Sequence, residues 1–201
     1  MRRIPWFLAV AVCLALWSPV ALVRAQEANP APKNPPQKLR GPDVIFVPTP
    51  QEVVNRMLEI ADVKKGDVVY DLGCGDGRIV VTAAKKYGVK AYGFDIDPVR
   101  IRESQENVAK NNMGDQVTIT QADIFTLDLS PANVVTLYLL PSLNVKLIPQ
   151  LEKLKPGSRI VSHDFGMRGV KPVKVERVKT SDGTTHYVYL WITPLQKENP
   201  K

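Results

Sequence analysis

Val68-Val69-Tyr70-Asp71-Leu72-Gly73-Cys74-Gly75-Asp76-Gly77-Arg78 decides the reading of this chain. The apolar run Val68–Leu72 has the length and β-branched content of a short strand buried on both faces. Three glycines follow at alternate positions, Gly73, Gly75 and Gly77. Beyond them Ile79, Val80, Ala83, Ala84 and Tyr87 recur with helical period, and Gly88 stands where a C′ glycine ends a helix. A strand, a glycine turn and a helix N-terminus together form a ligand cradle. Glycine lets a ligand touch the backbone, and the free N–H groups of the helix start add positive potential. The dinucleotide fingerprint spaces its glycines G-x-G-x-x-G. Here the spacing is G-x-G-x-G, and Asp71 stands two residues before the first glycine. A carboxylate there suits an ammonium group rather than a phosphate.

Two more acids follow the same logic. Lys90–Asp95 reads as a second strand, and Asp95 lies 18 residues after Gly77, where a carboxylate reaches a ribose in a Rossmann-like unit. Asp97-Pro98 caps a helix running to about Asn112. Gln116–Phe125 reads as a third strand carrying Asp123 and Ile124 at its end. Ligands of open α/β sheets bind at C-terminal strand ends, so acids at three successive ends form a set.

Asp-Leu-Gly-Cys-Gly-Asp-Gly resembles the first motif of the class I (seven-stranded, Rossmann-like) S-adenosylmethionine-dependent methyltransferases. The resemblance implies an α/β fold whose mostly parallel sheet ends in an antiparallel hairpin, with helices on both faces. It implies S-adenosyl-L-methionine as cofactor. Asp71, Gly73, Cys74, Gly75 and Gly77 would hold its methionine half, Asp95 and Ile96 its ribose side, and Asp123 and Ile124 its adenine. Phe46-Val-Pro-Thr-Pro, Asp71–Val80 and Leu137-Tyr-Leu-Leu-Pro further resemble small relatives of the mitochondrial lysine methyltransferases of ATP synthase subunit c and the adenine nucleotide translocase. The implied reaction is SN2 methyl transfer to a nucleophile, with a protein lysine amine as a candidate acceptor. In-line positioning supplies much of such a rate, and a base is needed only if the nucleophile arrives protonated.

The remaining strands are Asn133–Leu140, Ser158–His163, Val173–Val178 and His186–Ile192, the last two flanking the hairpin signal Ser181-Asp-Gly-Thr. Leu143, Leu147, Leu151 and Leu154 mark a helix interrupted by Pro149. Tyr138, at the fourth strand end, is the catalytic candidate, either orienting an amine or packing in the core. His163 and Asp164 are weaker base candidates. Before the first strand, Thr49, Pro50 and Glu52 spell a capping box for a helix to about Ala61.

The chain has 201 residues and a formal charge of +7, enough for one domain with a real core. Residues 1–25 have the layout of a secretory signal peptide, or of a membrane anchor through residues 4–23: Arg2-Arg3, an apolar run, and the small-residue end Val23-Arg24-Ala25. The expected location is exported (periplasmic or secreted), or membrane-tethered. Residues 26–42 form a Pro-rich disordered linker, 43–195 the methyltransferase domain, and 196–201 a tail. Cysteine is limited to Cys13 and Cys74, which excludes a disulfide scaffold or a cysteine metal site, and no metal is expected. Cys74 reads as a small filler. Nine Lys or Arg residues against three acids between Lys146 and Lys179 form a candidate surface for an anionic partner, or a solvated face. No aromatic interleaving points to specific nucleic-acid binding. Two other functions fit parts of the pattern: an aminopropyltransferase-like enzyme, which shares the Gly-Asp-Gly turn, and a non-catalytic binding module.

Overall fold

The computed structural model describes Gly41 and residues 45–198. The expected signal or anchor segment 1–25 and all of the linker except Gly41 lie outside the described residues. Among the described residues, no helix is long and apolar enough to cross a membrane.

The elements alternate as a doubly wound fold requires: α1 (Gln51–Ile60), β1 (Val68–Leu72), α2 (Arg78–Tyr87), β2 (Lys90–Asp95), α3 (Pro98–Lys110), β3 (Val117–Gln121), a 3₁₀ turn (Ile124–Thr126), β4 (Val134–Leu137), α4 (Pro141–Leu151), β5 (Arg159–His163), β6 (Lys174–Lys179) and β7 (Thr185–Ile192). They form one seven-stranded sheet of order β3-β2-β1-β4-β5-β7-β6. The first five strands in that order are parallel, and β7 runs antiparallel to both β5 and β6. Strand order reverses between β1 and β4, which opens a crevice beyond their C-terminal ends.

Side chains of successive strand residues point to opposite faces, so each face has its own core. Val69, Ala91, Val134 and Val161 meet Val53, Val54, Met57 and Leu58 of α1 and Ile79, Val80, Ala83 and Ala84 of α2. Tyr70, Leu72, Phe94, Leu137, Ile160 and Trp191 form the other face with Leu147 and Leu151 of α4. Each large aliphatic side chain buried this way contributes about 1.5–3 kcal/mol. On the second face the Tyr70 ring packs edge-on against Tyr92 at 5.3 Å and tilted against Phe94 at 5.1 Å.

Several boundaries differ from the sequence reading. The capping box of α1 does not form, and Pro50 caps the helix with no side-chain bond. Thr49 is instead buried against His163, and Glu52 accepts from the Ser181 backbone and hydroxyl in the β6–β7 hairpin. Long-range partners have taken both groups of the box. Helix α4 runs through Pro149 to Leu151. So near the end of the helix, the missing N–H costs only the bond to the Val145 carbonyl. Strand β3 stops at Gln121, because Asp123 turns back to accept from the Phe125 N–H and starts the 3₁₀ turn. Residues 196–198, within the expected tail, stay bonded to the domain: Lys171 N–H donates to Gln196 O and Glu198 N–H to Gly169 O. The stretch between β5 and β6 contains no helix.

Candidate active site

At the crevice, β1 ends in the glycine turn. Gly73, Gly75 and Gly77 all have positive φ, at 81°, 55° and 75°. The need is sharpest at Gly75, where a Cβ would stand 2.1 Å from Cε2 of Phe46, and at Gly77, where it would stand 2.9 Å from Ser104 Cβ of α3. Gly77 precedes α2 in the left-handed conformation, and Gly88 closes the helix in the same conformation, as the sequence implies.

The turn opens onto a cleft at the C-terminal ends of the strands. Its walls include Asp71, Gly73, Cys74, Asp95, Ile96, Asp123, Ile124 and Tyr138 from the expected set. Gly75 and Gly77 do not line it. Phe46 covers the first, Ser104 packs on the second, and Gly75 acts through its N–H, which donates to Asp95 Oδ2 at 2.9 Å. Asp95 Oδ1 accepts from the Asp97 N–H at 2.9 Å, so two backbone bonds fix the carboxylate while each oxygen keeps a lone pair. Asp97 caps α3 by accepting from Val99 N–H.

Asp71 is 2% exposed. Its Oδ1 accepts from the Thr136 hydroxyl at 2.6 Å, while its Oδ2 is buried with no hydrogen-bond partner among the described residues. Burial drives its pKa up to about 7. The Thr136 bond opposes that shift, and the nearby charges of Asp95 and Asp76 add to it. A buried carboxylate with one orphaned oxygen, on the wall of a cleft, is built to meet a cationic donor. An α-ammonium group fits that requirement. Burial first, with Asp71 and Asp95 beside it, raises the Cys74 thiol well above its usual range. It packs under Gly93 and is a filler, as expected.

Residues 45–49 form a strap over the cleft, a role the sequence reading did not assign to them. Ile45, Phe46, Val47 and Thr49 line it. Arg100 holds Phe46 by a cation–π contact of 4.7 Å. Arg78 binds Asp76 through two nitrogens and donates to Thr49 O at 2.8 Å, which ties the strap to the glycine turn. The string Phe-Val-Pro-Thr-Pro was the signal for it.

Tyr138 lies just beyond β4 rather than within it. Its ring packs tilted against His163 at 3.9 Å and stacks on Phe165 at 5.9 Å. Burial, then the Asp164 charge, raises the phenol pKa and keeps it protonated. His163 is fully buried, and burial lowers its pKa to about 4 despite the attraction of Asp164. Its Nδ1 lies 3.1 Å from Thr49 Oγ1.

The basic stretch 146–179 is divided. Arg159 bonds Asp67 and the Ala61 carbonyl at the start of β5, Lys174 pairs with Glu176, and Lys146 sits over the Phe125 ring.

Residues 71–174 match the family model described as the ANTKMT methyltransferase domain. A protein-lysine N-methyltransferase of Saccharolobus islandicus (strain REY15A) is 51% identical over 154 residues, 75% of this chain and 94% of the relative. The crystal structure of an RNA methyltransferase from Salinibacter ruber, in complex with S-adenosyl-L-homocysteine, superposes with a TM-score of 0.69 at 46% identity, covering 77% of this chain and 97% of that one. A ribosomal protein L11 methyltransferase of Desulfitobacterium hafniense is 30% identical over 102 residues, half of this chain but only 32% of the relative.

Proposed function

The chain belongs to the ANTKMT methyltransferase domain family and is an S-adenosylmethionine-dependent methyltransferase, and we propose that its methyl acceptor is the side-chain amine of a protein lysine. The observation that carries this reading is the charge of the cleft. Five carboxylates line it, Asp71, Asp76, Asp95, Asp97 and Asp123, against two guanidiniums, Arg78 and Arg100. Both guanidiniums are paired, with Asp76 and Glu103. The excess of carboxylates over guanidiniums gives the cleft a net negative lining, which concentrates cations. That favours a cationic sulfonium cofactor and a cationic lysine, and disfavours a polyanionic backbone. The 51% identical relative is a protein-lysine N-methyltransferase.

Bound in the cleft, S-adenosylmethionine supplies an electrophilic methyl group on sulfonium sulfur. The residues of the chain bind and orient. Asp71 would hold its ammonium group, with Gly73 and Cys74 on the adjoining wall. Asp95 would hold the ribose hydroxyls beside Ile96. Asp123 would hold the exocyclic amine, with Ile124 against the base. Gly75 and Gly77 set the turn. Tyr138 stays a neutral phenol, so it orients the incoming amine by a hydrogen bond and does not take its proton as a phenolate. A lysine amine with a pKa of about 10.4 must lose a proton before it attacks. The amine gives that proton to solvent water before it attacks as the free base.

A second reading has one observation behind it: the 46% identical protein of known structure is an RNA methyltransferase. Transfer from methyl-labelled cofactor into a cell extract separates the two. Label lost to protease and recovered as methyl-lysine supports the protein acceptor. Label lost to ribonuclease replaces it with RNA.

Export, or tethering through residues 4–23, belongs to the same proposal. It rests on Arg2-Arg3, the apolar run and the Val23-Arg24-Ala25 end. Cell fractionation with a C-terminal tag tests it, and a soluble cytosolic pool of full-length chain would overturn it.

A further inference from the structure

We infer that His163, Asp164 and His186 form a binding site for a divalent first-row transition-metal ion. The chain has only two histidines, and both are here. One ends β5 and the other lies near the start of β7, so the antiparallel pairing of these strands brings them together. His163 Nε2 lies 2.9 Å from His186 Nδ1 and 3.2 Å from Asp164 Oδ2, and His186 Nδ1 lies 3.0 Å from the same oxygen.

With the Asp164 carboxylate ionised, hydrogen bonds cannot satisfy this triangle. Each imidazole nitrogen carries either a proton or a lone pair, never both. If both nitrogens are protonated, two N–H groups confront each other at 2.9 Å. If only one is protonated, the lone pair of the other faces a carboxylate oxygen. If neither is, three lone pairs converge. A cation between them satisfies all three atoms with both imidazoles neutral and the carboxylate ionised.

The dimensions agree. Cis ligands at about 2.1 Å from a six-coordinate ion stand about 3.0 Å apart, and ligands of a four-coordinate ion about 3.4 Å. Two imidazoles and one carboxylate select zinc and its first-row neighbours over magnesium or calcium. The outer contacts are those that ligands need. With Nδ1–H of His163 donating to Thr49 Oγ1, the Nε2 lone pair is left for the ion. Asp164 is held at φ 53°; its N–H donates to Tyr187 O, and its Oδ1 accepts from Tyr187 N–H, so Oδ2 alone faces the histidines. His163 is enclosed, while Asp164 and His186 retain 26% and 13% of their side-chain exposure, leaving an approach for the ion and for water as a further ligand. The Tyr138 ring packs against the His163 ring at 3.9 Å, so the ion would brace the cleft wall from behind, whatever the acceptor.

The test uses the untagged full chain, stripped with chelator. Cobalt(II) is titrated against the visible spectrum and zinc by calorimetry. One equivalent of each is expected to bind, and S-adenosylhomocysteine affinity should survive in His186→Gln and Asp164→Asn while the metal equivalent is lost. Thr49→Val should weaken metal binding about 10- to 100-fold. The wild type supplies a readout independent of any variant: the cobalt form should show two paramagnetically shifted, exchangeable imidazole N–H resonances, one per histidine. No stoichiometric binding, binding undiminished in His186→Gln, or no shifted imidazole resonances would overturn the inference.

Discussion

The Thr136 hydroxyl donates to Oδ1 of Asp71 at 2.6 Å, while Oδ2 of the same buried carboxylate has no partner among the described residues. Half of this group is anchored across the β1–β4 pair, and half is kept for a donor that enters the cleft. Asp71→Asn keeps the shape and the Thr136 contact but removes the charge. It is expected to weaken S-adenosylmethionine binding at pH 8 by at least tenfold, read by calorimetry, and to stabilise the cofactor-free protein at that pH.

The raised pKa of Asp71, about 7, fixes the sign of a pH effect. The folded chain holds this proton between about pH 4 and 7, and the unfolded chain does not. The contribution to stability is therefore full below about pH 4 and is lost as pH rises through 7. Urea denaturation of the wild type against Asp71→Asn should show the difference shifting by about 3 kcal/mol between pH 5 and pH 8. Cofactor binding runs the other way: it needs the ionised form, so affinity should rise with pH and level off above 7.

Gly75→Ala places a methyl group on the Phe46 ring at a φ of 55°. The backbone strain is about 1–3 kcal/mol. The steric part is separable, because Phe46→Ala in the same chain removes the ring. The double variant should recover part of the lost thermal stability but not all of it, measured by thermal denaturation.

Tyr138→Phe keeps the ring against His163 and the stack on Phe165, and removes the hydroxyl. Its kcat should fall about tenfold or more, with S-adenosylhomocysteine affinity unchanged. Tyr138→Ala removes the stack as well and should also lower the melting temperature. A full-speed Tyr138→Phe enzyme would confine this tyrosine to packing.

Arg159 ties the start of β5 to Asp67 and to the Ala61 carbonyl at the end of α1. With side-chain exposures of 15% and 7%, the pair is shielded from solvent. Arg159→Met strands the Asp67 charge and should cost about 3 kcal/mol in denaturant titration, without moving cofactor affinity.

The parts of this fold that are local in sequence were legible in it. The strand, glycine turn and helix at 68–88 are contiguous, and each acid marks its own strand end, so Asp71, Asp95 and Asp123 could be read one at a time. What was missed depends on distant pairing. Thr49 and Glu52 spell a capping box, yet their partners are His163, 114 residues on, and Ser181, 129 residues on. Thr136 reads as one more strand residue until β4 lies beside β1. His186 lies outside every motif and meets His163 only through the antiparallel pairing of β7. The resemblance gave Gly75 and Gly77 to the cofactor; that their missing side chains also admit Phe46 and Ser104 depends on contacts from distant segments. The Lys146–Lys179 run is dense in sequence, but folding sends its members to different elements.

Calorimetric titration of S-adenosylhomocysteine into the full chain, beside Asp71→Asn and Asp95→Ala, tests the cleft most directly. The account predicts one site per chain with micromolar affinity or better, weakened at least tenfold in each variant, both variants still folded by circular dichroism. Unchanged affinity in both would contradict it, and would move the cofactor away from the three strand ends around which the site has been built.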